Sequence, residues 1–219
     1  MYRIVIADDH PFSREGAKMY FEADGEFEVV GCVSNGREAY NLCMKREVDV
    51  VLMDIKMPEC DGIEGTKLIK SLGKSIKVII LSSFFKEDDL VSKAIKNGAD
   101  GYILKGIEPK QLVSAIKSAM NDINIIDNNV FAELKEKIPV KSNCNNCSNP
   151  TVKKEDLNES ELNVLALLVE GKTNKEMGEL LYLHEDTIRN IVSRLITNYG
   201  LSNRTQLAVF AIKNNLLSN

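Results

Sequence analysis

The feature that most limits what this chain can become is a rhythm in its first 120 residues. Short apolar runs rich in Val and Ile, at 3–7, 28–33, 49–53, 77–81 and 101–104, alternate with helical patterns at 11–23, 36–46, 61–72, 86–97 and 109–120. Runs that short, apolar almost throughout, are strands covered on both faces. Strict strand–helix alternation joins parallel strands by crossover helices, so the segment predicts an α/β fold, a doubly wound five-stranded parallel sheet with helices on both sides. Pro11 and Pro109 suit first-turn helix positions, and Gly98 suits a helix end.

The rhythm stops near Asn121. Residues 122–155 read as a linker rich in Asn, Lys and Ser, with a short helical stretch at 130–138 and the pair Cys144 and Cys147. From 156 onward the pattern is helical. Asn158 with Glu161, Thr173 with Glu176, and Asn203 with Gln206 are spaced to cap helix starts, and Gly171 and Gly200 close two of the helices. A short second helix, a tight turn at 182–184 and a longer third helix at 185–199 fit helix-turn-helix geometry. The chain therefore divides into a domain at 1–121, the linker, and a small all-α domain at 156–219.

Composition narrows the setting. With 44% hydrophobic and 27% charged residues the chain is an ordinary soluble one, and it has no apolar run long enough to span a bilayer. The first apolar run ends at Asp8-Asp9, which is a strand and not a secretory signal, so the cytoplasm is the expected location and no membrane partner is expected. Five scattered cysteines do not make a secreted disulfide framework. A net charge of -4 argues against indiscriminate binding to nucleic acid, yet residues 187–219 hold no Asp or Glu while carrying Arg189, Arg194, Arg204 and Lys213.

The chemistry of the first domain gathers at strand ends. Asp8 and Asp9 follow the first strand, Asp54 the third, Ser82 the fourth and Lys105 the fifth. In an open parallel sheet these ends share one edge, where such sheets bind ligands. Three carboxylates there invite a hard cation such as Mg²⁺, and Lys105 sets a fixed positive charge opposite them. An Asp so placed can be a nucleophile toward a phosphoryl group. Taken singly, each Asp could equally be a helix cap or turn former; the set at successive strand ends is what points to chemistry.

The segments Ile-Val-Ile-Ala-Asp8-Asp9-His-Pro, Val-Val-Leu-Met-Asp54-Ile-Lys-Met-Pro58-Glu-Cys-Asp-Gly62, Val-Ile-Ile-Leu-Ser82-Ser and Gly98-Ala-Asp-Gly-Tyr102-Ile-Leu-Lys105 resemble the flavodoxin-like receiver domains of two-component response regulators. The resemblance implies that Asp54 accepts a phosphoryl group from a sensor histidine kinase. It implies that Asp8, Asp9, Asp54 and the backbone carbonyl of Lys56 hold Mg²⁺. It implies that Ser82 and Lys105 meet the phosphoryl oxygens, and that Tyr102 is the aromatic switch that turns inward on activation.

The helical end is similar to LuxR/NarL-type helix-turn-helix domains, through Leu157-Asn-Glu-Ser-Glu161, Gly171-Lys-Thr-Asn-Lys-Glu176, Leu183-His-Glu-Asp-Thr187-Ile-Arg-Asn and Leu201-Ser-Asn-Arg204-Thr-Gln206. By that resemblance residues 185–199 form the recognition helix, and double-stranded promoter DNA is the partner. Arg189, Asn190 and Ser193 share one face and are the base-reading set; Thr173, Asn174, Lys175, Thr187 and Arg194 are the phosphate-contacting set. Thr197 and Asn198 stand where the family carries basic residues, so a homodimer is expected when the protein is active. Three other readings stay open: a solvated, protein-binding helical face; the same architecture working without phosphorylation, through oligomerisation or the linker cysteines; and a phosphatase or phosphotransfer enzyme using aspartyl-phosphate chemistry. Cys144 and Cys147 read as an incidental pair, a redox pair or part of a shared metal site.

Overall fold

The computed structural model describes residues 1–83, 90–121, 125–126, 157–214 and 216–217. Contacts divide the chain into two compact units.

In the first unit, β1 (Tyr2–Ala7), β2 (Phe27–Val33), β3 (Val50–Asp54), β4 (Lys77–Ser82) and β5 (Gly101–Leu104) alternate with α1 (Pro11–Asp24), α2 (Gly36–Lys45), α3 (Gly62–Ser71), α4 (Leu90–Lys96) and α5 (Pro109–Met120). All strand pairs are parallel, in the order β2-β1-β3-β4-β5. The chain runs outward from β1 to β2, then returns to place β3 on the other side of β1. That reversal is the switch point of a doubly wound sheet, where a crevice opens between the crossovers. α1 packs with α5, while α2 packs with α3 and α3 with α4, so helices cover both faces.

Strand alternation builds the core on each face. Ile4, Ile6, Val50, Leu52, Ile79 and Ile103 meet Phe21 of α1 and Val113 and Ile116 of α5, with Phe21 and Phe27 edge-to-face at 5.1 Å. On the opposite pleat Val5, Val51, Met53, Val78, Ile80 and Tyr102 are equally enclosed.

The five expected strands are joined by a sixth. Residues Ile125–Ile126, assigned above to the linker, pair in parallel with β5 as β6 and belong to the first unit. Two residues are too short to carry a periodic signal, and without them β5 would present an unpaired edge. The expected helix at 130–138, the pair Cys144 and Cys147, and the first residues expected for α4 lie outside the described residues.

The second unit contains α6 (Glu159–Val169), α7 (Asn174–Leu181), α8 (Glu185–Asn198) and α9 (Arg204–Lys213). Capping boxes start two of these: Asn158 and Glu161 bond reciprocally at α6, and Thr173 and Glu176 at α7. The third expected box is half made. The Asn203 side chain accepts from the Gln206 amide, but Gln206 Oε1 accepts from Ser202, one residue earlier. Val164, Leu165, Leu168, Met177, Ile188, Ile191, Val192, Leu195 and Leu207 form the core.

The turn between α7 and α8 hinges on Tyr182, whose φ of 56° ends α7 in the left-handed region. The Leu183 amide then donates to the Gly178 carbonyl at 2.9 Å. A Cβ on Gly178 would lie 2.6 Å from the Leu183 carbonyl oxygen, so the turn fits only over a bare backbone. Tyr199 stacks on Phe210 at 4.8 Å, tying the end of α8 to α9.

Candidate phosphoacceptor site and DNA-reading helix

The sheet brings Asp8, Asp9, Asp54, Ser82 and Lys105 to its C-terminal edge beside the switch point. Ala7 pairs with Met53, Asp54 with Leu81 and Ser82 with Leu104, so the strand register alone aligns these ends. The Lys105 amide donates to the Ser82 carbonyl at 2.6 Å, which fixes where the lysine departs from β5. Its ammonium donates to Asp54 Oδ2 at 2.7 Å and to Asp8 Oδ2 at 2.8 Å. Asp54 Oδ1 accepts from the Ile55 amide at 2.7 Å, and Asp8 Oδ1 from the His10 amide at 2.8 Å. Ser82 is wholly buried, as is Tyr102, which already occupies an inward position.

The loop after β3 is held by backbone. The Gly62 amide donates to the Ile55 carbonyl at 2.8 Å, and a Cβ at Gly62 would lie 1.9 Å from the Asp54 carbonyl oxygen. Only glycine lets α3 begin this close to the strand that carries Asp54. Asp61 caps α3 by accepting from the Glu64 amide. Lys56 and Asp9 line one cleft at this loop.

Burial and charge divide the three ionisable groups at the centre. Burial pushes the Asp54 carboxyl up; Lys105 pulls it back, the Asp8 charge adds to the rise, and the net position is above the ordinary carboxylate range. Burial also pushes Asp8 up, but the Lys105 hydrogen bond and the His10 amide outweigh it and hold Asp8 below that range. Burial pulls Lys105 down, and its bonds to Asp54 and Asp8 more than reverse this. Asp8 is thus the firmly ionised member, and Asp54 the one whose charge is least compensated.

The donor set suits a divalent cation. One ligand atom each from Asp8, Asp9, His10 and Asp54 lie within 4.8 Å of one another. Among the described residues Asp9 Oδ1 is shut off from water and makes no hydrogen bond, with the His10 imidazole Nδ1 2.6 Å away as the group that faces it. His10 directly follows Asp8-Asp9 in the chain, and that adjacency is the sequence signal for its place in the cluster.

In the second unit α8 buries Ile188, Ile191, Val192 and Leu195 and exposes Thr187, Arg189, Asn190, Ser193 and Arg194. Arg189 is held along its own helix, donating to Asp186 at 2.7 Å and to Glu185 at 3.1 Å. Arg194 reaches Glu161 of α6 at 2.9 Å. Lys175 is exposed and Thr173 half-buried. Asn174 differs from the surface role expected of it: its side chain is buried and accepts from the Arg204 guanidinium at 2.6 Å. Arg204 also donates to the Lys172 carbonyl, so it pins the start of α7 from the start of α9.

A doubly wound parallel sheet with three acids and a lysine at its switch point, joined to a helix-turn-helix unit, defines the class of response regulators that bind DNA. Sequence comparison places this chain within it. Residues 4–117 match the response regulator receiver domain, and residues 155–211 match the bacterial regulatory proteins of the luxR family. The chain is 34% identical over 215 residues to the transcriptional regulatory protein LnrK of Bacillus subtilis, covering 97% of each, and 34% identical over 218 residues to LiaR of the same organism, covering 100% of each. Among solved structures it is similar to a two-component response regulator of the LuxR family from Aurantimonas, at 30% identity and a TM-score of 0.57 over 62% of this chain and 96% of that one. It is also similar to RcsB, in a structure of two RcsB dimers bound to two parallel DNAs, at 25% identity and a TM-score of 0.56 over 97% of this chain and 98% of that one. The chain belongs to the LuxR family of two-component response regulators and is a DNA-binding transcriptional regulator; its relatives are regulators and not enzymes. Among the described residues no helix is long and apolar enough to cross a membrane.

Proposed function

We propose that Asp54 accepts a phosphoryl group from a sensor histidine kinase in a Mg²⁺-dependent step, and that this modification governs promoter binding by α8 in the cytoplasm. The observation that carries the reading is Lys105 spanning Asp54 and Asp8 at the switch point, with Asp9 beside them in the same cluster of ligand atoms. Asp8, Asp9, Asp54 and the Lys56 carbonyl would hold the ion, which supplies charge neutralisation at the phosphoryl oxygens. An Asp54 carboxylate oxygen bonds to phosphorus, the bond from phosphorus to the kinase's histidine nitrogen breaks, and its electron pair stays on that nitrogen. The Lys105 ammonium and the Ser82 hydroxyl take phosphoryl oxygens. The added charge and acceptors draw Ser82 toward Asp54 and bias the arrangement around Tyr102.

On DNA, Arg189, Asn190 and Ser193 read bases from the exposed face of α8, while Thr173, Lys175, Thr187 and Arg194 contact phosphates. Asn174 contributes its backbone amide at the start of α7, since its side chain serves Arg204. So few cations on one unit favour binding as a homodimer, the form in which the RcsB relative meets DNA.

Intact-protein mass after incubation with acetyl phosphate and Mg²⁺ tests the chemistry. The wild type gains one phosphoryl group and Asp54→Asn gains none; equal masses for both would contradict it. A second reading is regulation without phosphorylation, in which the fully buried Tyr102 keeps its place whatever the state of Asp54. That reading predicts that Asp54→Asn leaves promoter output in cells unchanged.

A further inference from the structure

The chain has two histidines, His10 and His184, and each occupies the N-cap of a helix. They are used differently. His184 caps: its Nδ1 accepts from the Asp186 amide at 3.4 Å. His10 makes no side-chain bond to the start of α1, although the first helical amides need acceptors. Its imidazole turns instead to the carboxylates, with Nδ1 2.6 Å from Asp9 Oδ1 and 3.4 Å from Asp8 Oδ1.

The shorter contact is within hydrogen-bond range, yet Asp9 Oδ1 has no hydrogen-bond partner among the described residues. Nitrogen and oxygen approach without being aligned on each other. Two ligand atoms stand in that relation when both face a third centre, and carboxylates from Asp8 and Asp54 close the same space within 4.8 Å. An all-oxygen set suits Mg²⁺, whereas an imidazole nitrogen favours borderline ions such as Zn²⁺ and Ni²⁺. Carboxylates and imidazole together form a set that zinc accepts.

Building on the reading that Asp8, Asp9 and Asp54 hold a cation, we propose that His10 is a further direct ligand, through Nδ1, which shifts the site's preference from Mg²⁺ toward a borderline divalent ion. Occupancy of the site then follows the availability of such an ion as well as that of Mg²⁺. His10 is well exposed, so an incoming ion can reach it.

The test uses the full chain with Cys144→Ser and Cys147→Ser, so that linker thiols do not take the probe metal. Nitrogen-detected imidazole spectra resolve the two histidines. One equivalent of Zn²⁺ moves the His10 Nδ1 resonance to its metal-bound position and leaves His184 in place, while Mg²⁺ moves neither there. Calorimetric affinities are then compared with His10→Asn, which supplies a good helix cap and a hydrogen-bond donor but no imidazole. Zn²⁺ binding weakens about tenfold or more, and Mg²⁺ binding stays within about twofold. An unmoved Nδ1 at saturating Zn²⁺ overturns the proposal. So does equal weakening of both metals, which would make His10 only a positioning residue for Asp9. Absence of Mg²⁺ binding to either protein would bring down the underlying cation site, and this inference with it.

Discussion

The two units differ in where their buried polar groups lead. The first buries Asp8, Asp54 and Ser82 at one sheet edge, with one lysine bonded to both acids, while its Asn35, Thr66 and Asp100 hold helices and strands in place. The second buries Glu161, Asn174, Arg204 and Thr205, and there the bonds of Glu161, Asn174 and Arg204 tie one helix to another. In the receiver Asp8, Asp54 and Ser82 are part of the buried interior. In the helical unit Arg189, Asn190 and Ser193, the groups proposed to read bases, are exposed on the surface of α8. Chemistry and stability are therefore coupled in the first unit and separable in the second.

The largest expected effect comes from the backbone that supports each site. Gly62→Ala forces a Cβ to 1.9 Å from the Asp54 carbonyl oxygen, and destabilises the receiver by more than about 4 kcal/mol. Gly178→Ala meets the Leu183 carbonyl at 2.6 Å; the helix-propensity gain of about 1 kcal/mol offsets part of the clash, leaving a net loss of about 1–2 kcal/mol. Denaturant melts with unit-specific probes rank the two, and an equal loss would break the contrast.

Lys105→Met comes next, measured in chelator. It leaves Asp8 and Asp54 unpaired and costs about 3 kcal/mol at neutral pH, the low end for a buried pair because the lysine is 22% exposed. The sign with pH follows from the shifts. Asp8 sits below its ordinary value in the wild type, so its stabilisation is present above the unfolded value and is lost as pH falls through the folded one. Removing Lys105 takes away a lowering influence from both carboxyls, so each moves up and protonation relieves part of the loss. The gap between wild type and variant therefore narrows as pH falls from 7 toward 4. A gap independent of pH would show that Lys105 acts through packing alone.

Arg189→Ala should have the smallest effect on folding and a clear one on DNA. It loses only exposed pairs with Asp186 and Glu185, worth a few tenths of a kcal/mol. Specific binding weakens by about 1–3 kcal/mol, with preference relaxed at one base pair. Uniform weakening on all sequences would reassign Arg189 to phosphate contact.

The same contrast explains what could be read in the sequence. Each receiver group follows a run of buried residues, and a β-branched run declares both its strand and where it ends. Asp54 after Val-Val-Leu-Met and Lys105 after Tyr-Ile-Leu were therefore legible together. The strand at Ile125–Ile126 was not, being two apolar residues in a polar stretch. The burial of the Asn174 side chain was not legible, because an Asn at a helix start reads as surface and its burial is decided by Arg204, thirty residues away. The inward Tyr102 was likewise invisible, since rotamer and burial are set by the opposite pleat and not by neighbours in sequence.

The central claim is that chemistry at Asp54 governs reading by α8. The most direct test is selection of randomised duplexes by the full chain, with and without acetyl phosphate and Mg²⁺, for the wild type and Asp54→Asn. The account predicts one palindromic motif, bound more tightly and as a dimer by the phosphorylated wild type, with no gain for the variant. Equal affinity for that motif in all four conditions would contradict it.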